Sequence, residues 1–284
     1  MEMISGASCG SANQKQEQKQ EQKKQEESVK SSLGKIKHKF IVMSGKGGVG
    51  KSSSTVNLAM ALAGMNRKVG IMDVDLHGPD IPRMLGLSGI MDLTPARKLK
   101  PMRYSDNLGA VSIESLTTSK DEAIIWRGPI KYSAIQQFIG DVEWGDLDYL
   151  LIDAPPGTGD EPLTVAQTIK DAKAIIVTTP QEVSLADVRK SINFCKTVKM
   201  EIFGLIENMS GFTCPHCDKA VDLFGQGGGE KTAADAEIPF LGKAPFDMNV
   251  VACGDSGTSL QEKHPDSPVA KAFADMAKKI DAAY

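Results

Sequence analysis

One stretch limits the folds open to this chain more than any other. Phe40-Ile-Val-Met43 is a short apolar run, and Gly45-Lys-Gly-Gly-Val-Gly-Lys-Ser52 follows it almost at once. Ser52 to Ala63 then carries Val56, Ala59, Met60 and Ala63 at helical spacing. A strand, a glycine loop and a helix in that order satisfy the pattern G-x-x-x-x-G-K-[ST] in its proper context. Phosphate oxygens need several N–H donors converging on one point. Glycines let the backbone bend close enough to supply them, and the following helix N-terminus adds positive potential. On this basis Gly45, Lys46, Gly47, Gly48, Val49, Gly50, Lys51, Ser52 and Ser53 are expected to surround nucleotide phosphates. Lys51 is expected to reach the β- and γ-phosphates, with the Ser52 hydroxyl on Mg²⁺. The bland alternative is a glycine-rich turn without a ligand.

The rest of the chain repeats the alternation of strand and helix. Lys68 to Asp73, Leu108 to Ile113, Tyr149 to Asp153, Ala174 to Thr179 and Phe203 to Glu207 are short apolar runs. Ser184 to Val198 and Pro268 to Ala283 have helical spacing. Nearly continuous apolar strands between helices predict the α/β class: a mostly parallel sheet with helices on both faces. Ligands of such sheets sit at the carboxyl ends of the strands. Residues 36–284 are expected to form one domain, with no internal repeat. Residues 1–35 are expected to be a disordered polar tail. Asn13 to Glu27 contains no apolar residue and cannot offset the entropy of ordering, although its Lys, Gln and Glu residues allow a transient helix.

Composition removes several classes. A net charge of −3 and 5% aromatic residues do not describe a nucleic-acid binder. No apolar run reaches membrane-span length, and Met1 to Ser8 lacks the features of a secretory signal. A cytoplasmic chain with no nucleic-acid or membrane partner is expected. The cysteines number five, an odd count with one tight pair, which is not a disulfide framework.

Asp153 ends an apolar run, the arrangement that holds Mg²⁺ through water. Ala154-Pro-Pro-Gly157-Thr-Gly-Asp160 follows as a stiff turn with a flexible point. It suits a switch that senses the γ-phosphate through the Gly157 N–H. Cys214-Pro-His-Cys217 places two thiols close enough for one metal centre, but zinc or a 4Fe–4S cluster normally takes four ligands. Cys195 lies on an apolar helix face, and Cys253 has no cysteine neighbour. Three chemistries are open for the pair: a cluster bridging two chains, zinc with His216 as an added ligand, or a redox disulfide. The first is the simplest completion, because two pairs across a two-fold axis give four thiolates.

Lys46 is a second lysine early in the glycine loop. In this the chain resembles the deviant Walker A class of P-loop ATPases. There the corresponding lysine reaches the partner's nucleotide, which implies an ATP-dependent homodimer. The same resemblance implies that Asp75 orients the attacking water and that Asp73 supports the Mg²⁺ shell. Within this class the chain is similar to the Mrp/ApbC iron–sulfur cluster carriers. The matching stretches are Ser44 to Ser52, Asp73-Val-Asp-Leu-His-Gly-Pro79, Trp126-Arg-Gly-Pro129, Leu147 to Asp160, Glu207-Asn-Met-Ser210, Cys214 to Cys217 and Phe224-Gly-Gln-Gly-Gly228. The resemblance spans about residues 38–284. It implies a P-loop NTPase fold, a 4Fe–4S cluster held by Cys214 and Cys217 of two subunits, and slow ATP hydrolysis coupled to cluster transfer into apo-proteins. It also matches Asn208 to a position that recognises adenine; read alone, an Asn after a strand is equally a turn former. The first 35 residues lack a four-cysteine motif, so a second cluster there is not expected. Two alternatives remain: a Min/Par-like partition or surface-cycling ATPase, and a metabolic P-loop kinase or ligase. The last helix bears on the former, because Val269, Phe273, Met276 and Ile280 form a stripe that would serve a membrane or a core.

Overall fold

The computed structural model describes residues 23–75, 78–112, 128–214, 216–217 and 219–284. Cys9, Leu76-His77 and Trp126-Arg127 lie outside the described residues. In chain order the elements are α1 (residues 23–33), β1 (Ile36–Ser44), α2 (Lys51–Gly64), β2 (Val69–Asp73), α3 (Ile81–Met84), β3 (Met102–Arg103) and β4 (Leu108–Ser112). Then come α4 (Gly128–Asp141), β5 (Leu147–Asp153), α5 (Asp160–Thr168), β6 (Lys173–Thr178), α6 (Glu182–Thr197) and β7 (Ile202–Glu207). The last are β8 (Phe212–Thr213), β9 (Ala220–Val221), α7 (Gly228–Asp235), β10 (Phe240–Lys243), α8 (Met248–Ser256), α9 (Leu260–Lys263) and α10 (Pro268–Asp281).

The main sheet has eight strands in the order β10-β7-β6-β1-β5-β2-β4-β3. Every neighbouring pair is parallel except β3 with β4. From β1 the chain first places β2, β3 and β4 to one side, fills the gap between β1 and β2 with β5, then adds β6, β7 and β10 on the other side of β1. The loop after β1 therefore opens where the winding reverses, the crevice in which sheets of this kind bind ligands.

Side-chain alternation along each strand feeds two cores, one per face. In β1, Phe40 and Val42 join one apolar cluster, and Ile41 and Met43 join the other. In β5, Tyr149 and Leu151 divide from Leu150 and Ile152 in the same way. Burial on both faces is why these strands read as unbroken apolar runs. On the first face α10 packs against α2, with Val269, Phe273, Met276 and Ile280 all buried. The stripe on the last helix is thus inside the protein. No helix among the described residues is long and apolar enough to cross a membrane.

The structure departs from the expected tail over residues 23–33. These form α1, and Leu33 is buried in the second core with Val29 packed beside it. The Ser28 hydroxyl donates to the Gly140 carbonyl at 2.8 Å, and the Ser32 hydroxyl to that of Val142 at 2.6 Å. Val29 with Leu33, and Ser28 with Ser32, are each one helical turn apart and so share a face. The all-polar stretch that ends at Glu27 has no such face, whereas the residues after it do.

Candidate functional site

The glycine loop is shaped by two left-handed residues, Gly48 (φ 80°) and Gly50 (φ 77°). Gly50 is the N-cap of α2, and no side chain caps that helix. Its first N–H groups, from Lys51, Ser52 and Ser53, are therefore free of intrahelical partners and point into the loop. A side chain at Gly45 would run into the backbone of Asp187 in α6. Gly47 faces the ring of Pro156, 4.0 Å from where a Cβ would lie. The loop is thus hemmed by α6 and the double-proline turn while its amides stay available to an anion.

Asp153 gathers the cations and hydroxyls of the loop. Its Oδ2 accepts from the Lys51 ammonium and from the Ser52 hydroxyl, each at 2.6 Å, and its Oδ1 accepts from the Thr55 hydroxyl at 2.8 Å. Lys51 and Asp153 form a buried ion pair with side chains 7% and 1% exposed. Register places Asp73 directly beside Asp153 on the adjoining strand. Burial pushes the Asp73 carboxyl well above the usual carboxylate range, and the Asp153 charge pushes the same way. The N–H groups of Asp75 (3.1 Å) and Ile81 (3.3 Å) and the Ser112 hydroxyl (3.4 Å) bond to Asp73. Asp75 is almost buried and accepts from the Gly78 N–H at 3.3 Å. Two acids at adjacent strand tips beside a hydroxyl make a fitting donor set for Mg²⁺, with Ser52 and Asp153 nearest.

Two predicted residues have other engagements, and a third has none for its charged end among the described residues. The Gly157 N–H donates to the Ser44 carbonyl at 2.8 Å, with Gly157 at φ 90°. A contact from this N–H to a γ-phosphate requires it to leave Ser44. The Asn208 side-chain amide donates to the Val49 carbonyl of the loop at 2.9 Å. Lys46 is half-buried, and its ammonium has no hydrogen-bond or ion-pair partner among the described residues.

The cysteine pair sits at the turn of a separate two-stranded antiparallel hairpin, β8 with β9. The Cys214 N–H donates to the Lys219 carbonyl at 3.0 Å, closing the turn. Cys214 is half-buried and Cys217 exposed, whereas Cys195 and Cys253 are buried. The His216 backbone N–H, then the Cys217 thiol, lower the pKa of the Cys214 thiol. Burial pushes that of Cys195 up to about 12. The pair, not the buried cysteines, is therefore suited to thiolate ligation. No group of three or more His, Cys, Asp or Glu side chains among the described residues is placed to hold a metal ion. His216 thus does not complete a three-ligand site with the pair. An aromatic cluster anchors the hairpin, with Phe212 and Phe224 each edge-on to Phe246 at centroid distances of 5.8 and 6.2 Å.

Two residues of the site were given no role from the sequence, although Glu207 lies in one of the matching stretches. Thr55 reaches Asp153, and its signal is the one-turn spacing from Lys51 on the same helix. Glu207 is a fully buried acid at the end of β7, the same strand-tip signal that marks Asp153. Its partners come from residues around the hairpin and α7.

A glycine loop on a central parallel strand, with a lysine, a hydroxyl and strand-tip acids converging beside it, defines a nucleotide-binding P-loop NTPase. A family model described as ParA: NUBPL iron-transfer P-loop NTPase matches residues 35–281. The chain belongs to that family. It is 48% identical over 254 residues to an iron-sulfur cluster carrier protein of Methanocaldococcus jannaschii, covering 89% of this chain and 88% of that one. A protein of the same description from Saccharolobus solfataricus is 48% identical over 253 residues, covering 89% and 86%. Among solved structures, a nucleotide-binding protein from Archaeoglobus fulgidus in complex with ADP is 39% identical with a TM-score of 0.73, covering 84% of this chain and 93% of that one. The septum site-determining protein MinD of Pyrococcus horikoshii, at 22% identity and a TM-score of 0.62 over 87% of this chain and 97% of its own, shares the fold.

Proposed function

We propose that this chain is an ATP-dependent iron–sulfur cluster carrier that works as a homodimer. Cys214 and Cys217 of two copies hold a 4Fe–4S cluster as cargo and pass it to apo-proteins. Lys51, Ser52, Asp153 and the loop amides bind Mg·ATP, and Asn208 turns to the base. Asp75 positions the attacking water, and Asp73 supports the metal shell. Lys46 reaches the partner's nucleotide. Hydrolysis is slow because it is tied to cluster binding or transfer. Phosphoryl transfer needs positioning and charge compensation more than covalent chemistry, and these residues supply both.

The observation that carries the proposal is the cysteine hairpin. It offers two accessible thiols, one of them acidified, and no third ligand beside them among the described residues. One chain supplies half of a four-thiolate set, and a two-fold axis supplies the other half. A surface-cycling ATPase lacks comparable support, because the stripe on α10 is buried.

The test is anaerobic reconstitution with iron and sulfide. The parent chain should take up about one 4Fe–4S cluster per dimer, and Cys214→Ala and Cys217→Ala should take up almost none. Cys217→Ala should still bind nucleotide, whereas Lys51→Ala should not. Equal iron in the parent and both cysteine variants would end the carrier proposal.

A further inference from the structure

We infer that Glu207 is a positioning residue that couples the phosphate loop to the cysteine hairpin. This rests on the carrier function proposed above and names how that site is regulated. Glu207 ends β7 and is 0% exposed. A buried carboxylate is costly unless its oxygens are well supplied with donors. Here the donors come from both sides of the cysteines. Before them, the Ser210 hydroxyl donates to Oε1. After them, the Gly227 N–H donates to Oε1 at 2.8 Å and the Gly229 N–H to Oε2 at 2.5 Å. Gly227 is the N-cap of α7, so the carboxylate also faces the positive end of that helix. One side chain thus clamps both ends of the excursion that carries Cys214 and Cys217.

The next residue ties the same point to the nucleotide loop. Asn208 donates to the Val49 carbonyl at 2.9 Å. Its amide nitrogen lies 2.2 Å from where a Cβ on Gly50 would stand. The loop cannot shift at Val49 and Gly50 without displacing Asn208 or breaking that bond. The Asn208 backbone N–H is meanwhile held by the Thr178 carbonyl at 2.7 Å, so the side chain is the part free to respond. The structure holds Asn208 on the loop carbonyl, and the adenine contact proposed above requires a second arrangement, turned to the base. Glu207 passes the difference to Ser210 and α7, and through them to the hairpin. A coupling of this kind is measurable as the effect of one ligand on the other site.

The experiment measures alkylation of Cys214 and Cys217 by iodoacetamide in the full, cluster-free chain. Mass-spectrometric peptide mapping separates them from the other cysteines. The parent, Glu207→Gln and Ser210→Ala are compared without nucleotide and at saturating Mg·ATP, after nucleotide affinity has been measured for each. In the parent, Mg·ATP should change the alkylation rate by about fivefold or more, and in both variants by less than about twofold, with affinity retained. No nucleotide effect in the parent, or an undiminished effect in the variants, overturns the inference. Should Glu207→Gln not fold, as judged by circular dichroism, Ser210→Ala decides alone. The readout needs no cluster. A chain that takes up no iron therefore sinks the carrier proposal and leaves the alkylation result standing.

Discussion

Asp153 shows how much a single side chain can organise. It closes β5, and three donors of the loop and α2 converge on it: the Lys51 ammonium and the hydroxyls of Ser52 and Thr55. Taking a carboxylate and an ammonium out of water is costly, and added hydrogen bonds make the pair tolerable. Thr55 fills Oδ1 while Lys51 and Ser52 share Oδ2, so Thr55 has a role separate from the ion pair. Thr55→Val keeps the shape of the side chain and removes the donor. It should lower stability by about 1–3 kcal/mol, read from the urea midpoint at constant slope. A midpoint equal to that of the parent would mean that Asp153 finds another donor. Thr55 was legible in principle from its spacing to Lys51. The direction of the Gly157 N–H was not, because no sequence pattern says that a switch amide rests on Ser44.

At the scale of elements, helices carry the loop and brace it from behind. α2 begins in the glycine loop and ends under α10, whose apolar face is buried along its length. The Ser267 side chain caps α10 by accepting from the Ala270 N–H at 3.2 Å, and Pro268 opens its first turn. The Lys279 ammonium near its end reaches the Leu241 carbonyl at 2.6 Å. Phe273, 1% exposed, sits midway. Phe273→Ala should cost about 3–5 kcal/mol in chemical unfolding, the usual range for emptying a packed aromatic site. A loss below about 1 kcal/mol would show that α10 is not a structural brace and would reopen a surface role for its stripe. Helical spacing located this helix, but spacing alone does not choose between a membrane and a core. The choice follows from what lies opposite, and α2 lies there. α1 teaches the converse: Val29 and Leu33 are too few to announce a helix, yet they meet a waiting face of the second core.

At the scale of the molecule, the proposed assembly makes its own prediction. Lys46 is half-buried with its ammonium unpartnered among the described residues, and the proposed function assigns it to the second copy's nucleotide. Sedimentation velocity with Mg·ATP should give a dimer for the parent and a monomer for Lys46→Ala, with nucleotide binding to the single chain retained. A parent that stays monomeric at every concentration would remove the basis for a bridging cluster. The sequence by itself determined the class of fold and the phosphate loop. It did so because strand burial and glycine loops are local properties, written in neighbouring residues. It also set out the thiol pair, whose spacing is local too. Tertiary structure alone decided which residues meet across the chain: Asp73 beside Asp153, Asn208 on the Val49 carbonyl, and Glu207 holding both flanks of the cysteine hairpin. Those meetings depend on strand order and register, which join residues far apart in sequence and leave no short-range pattern to read.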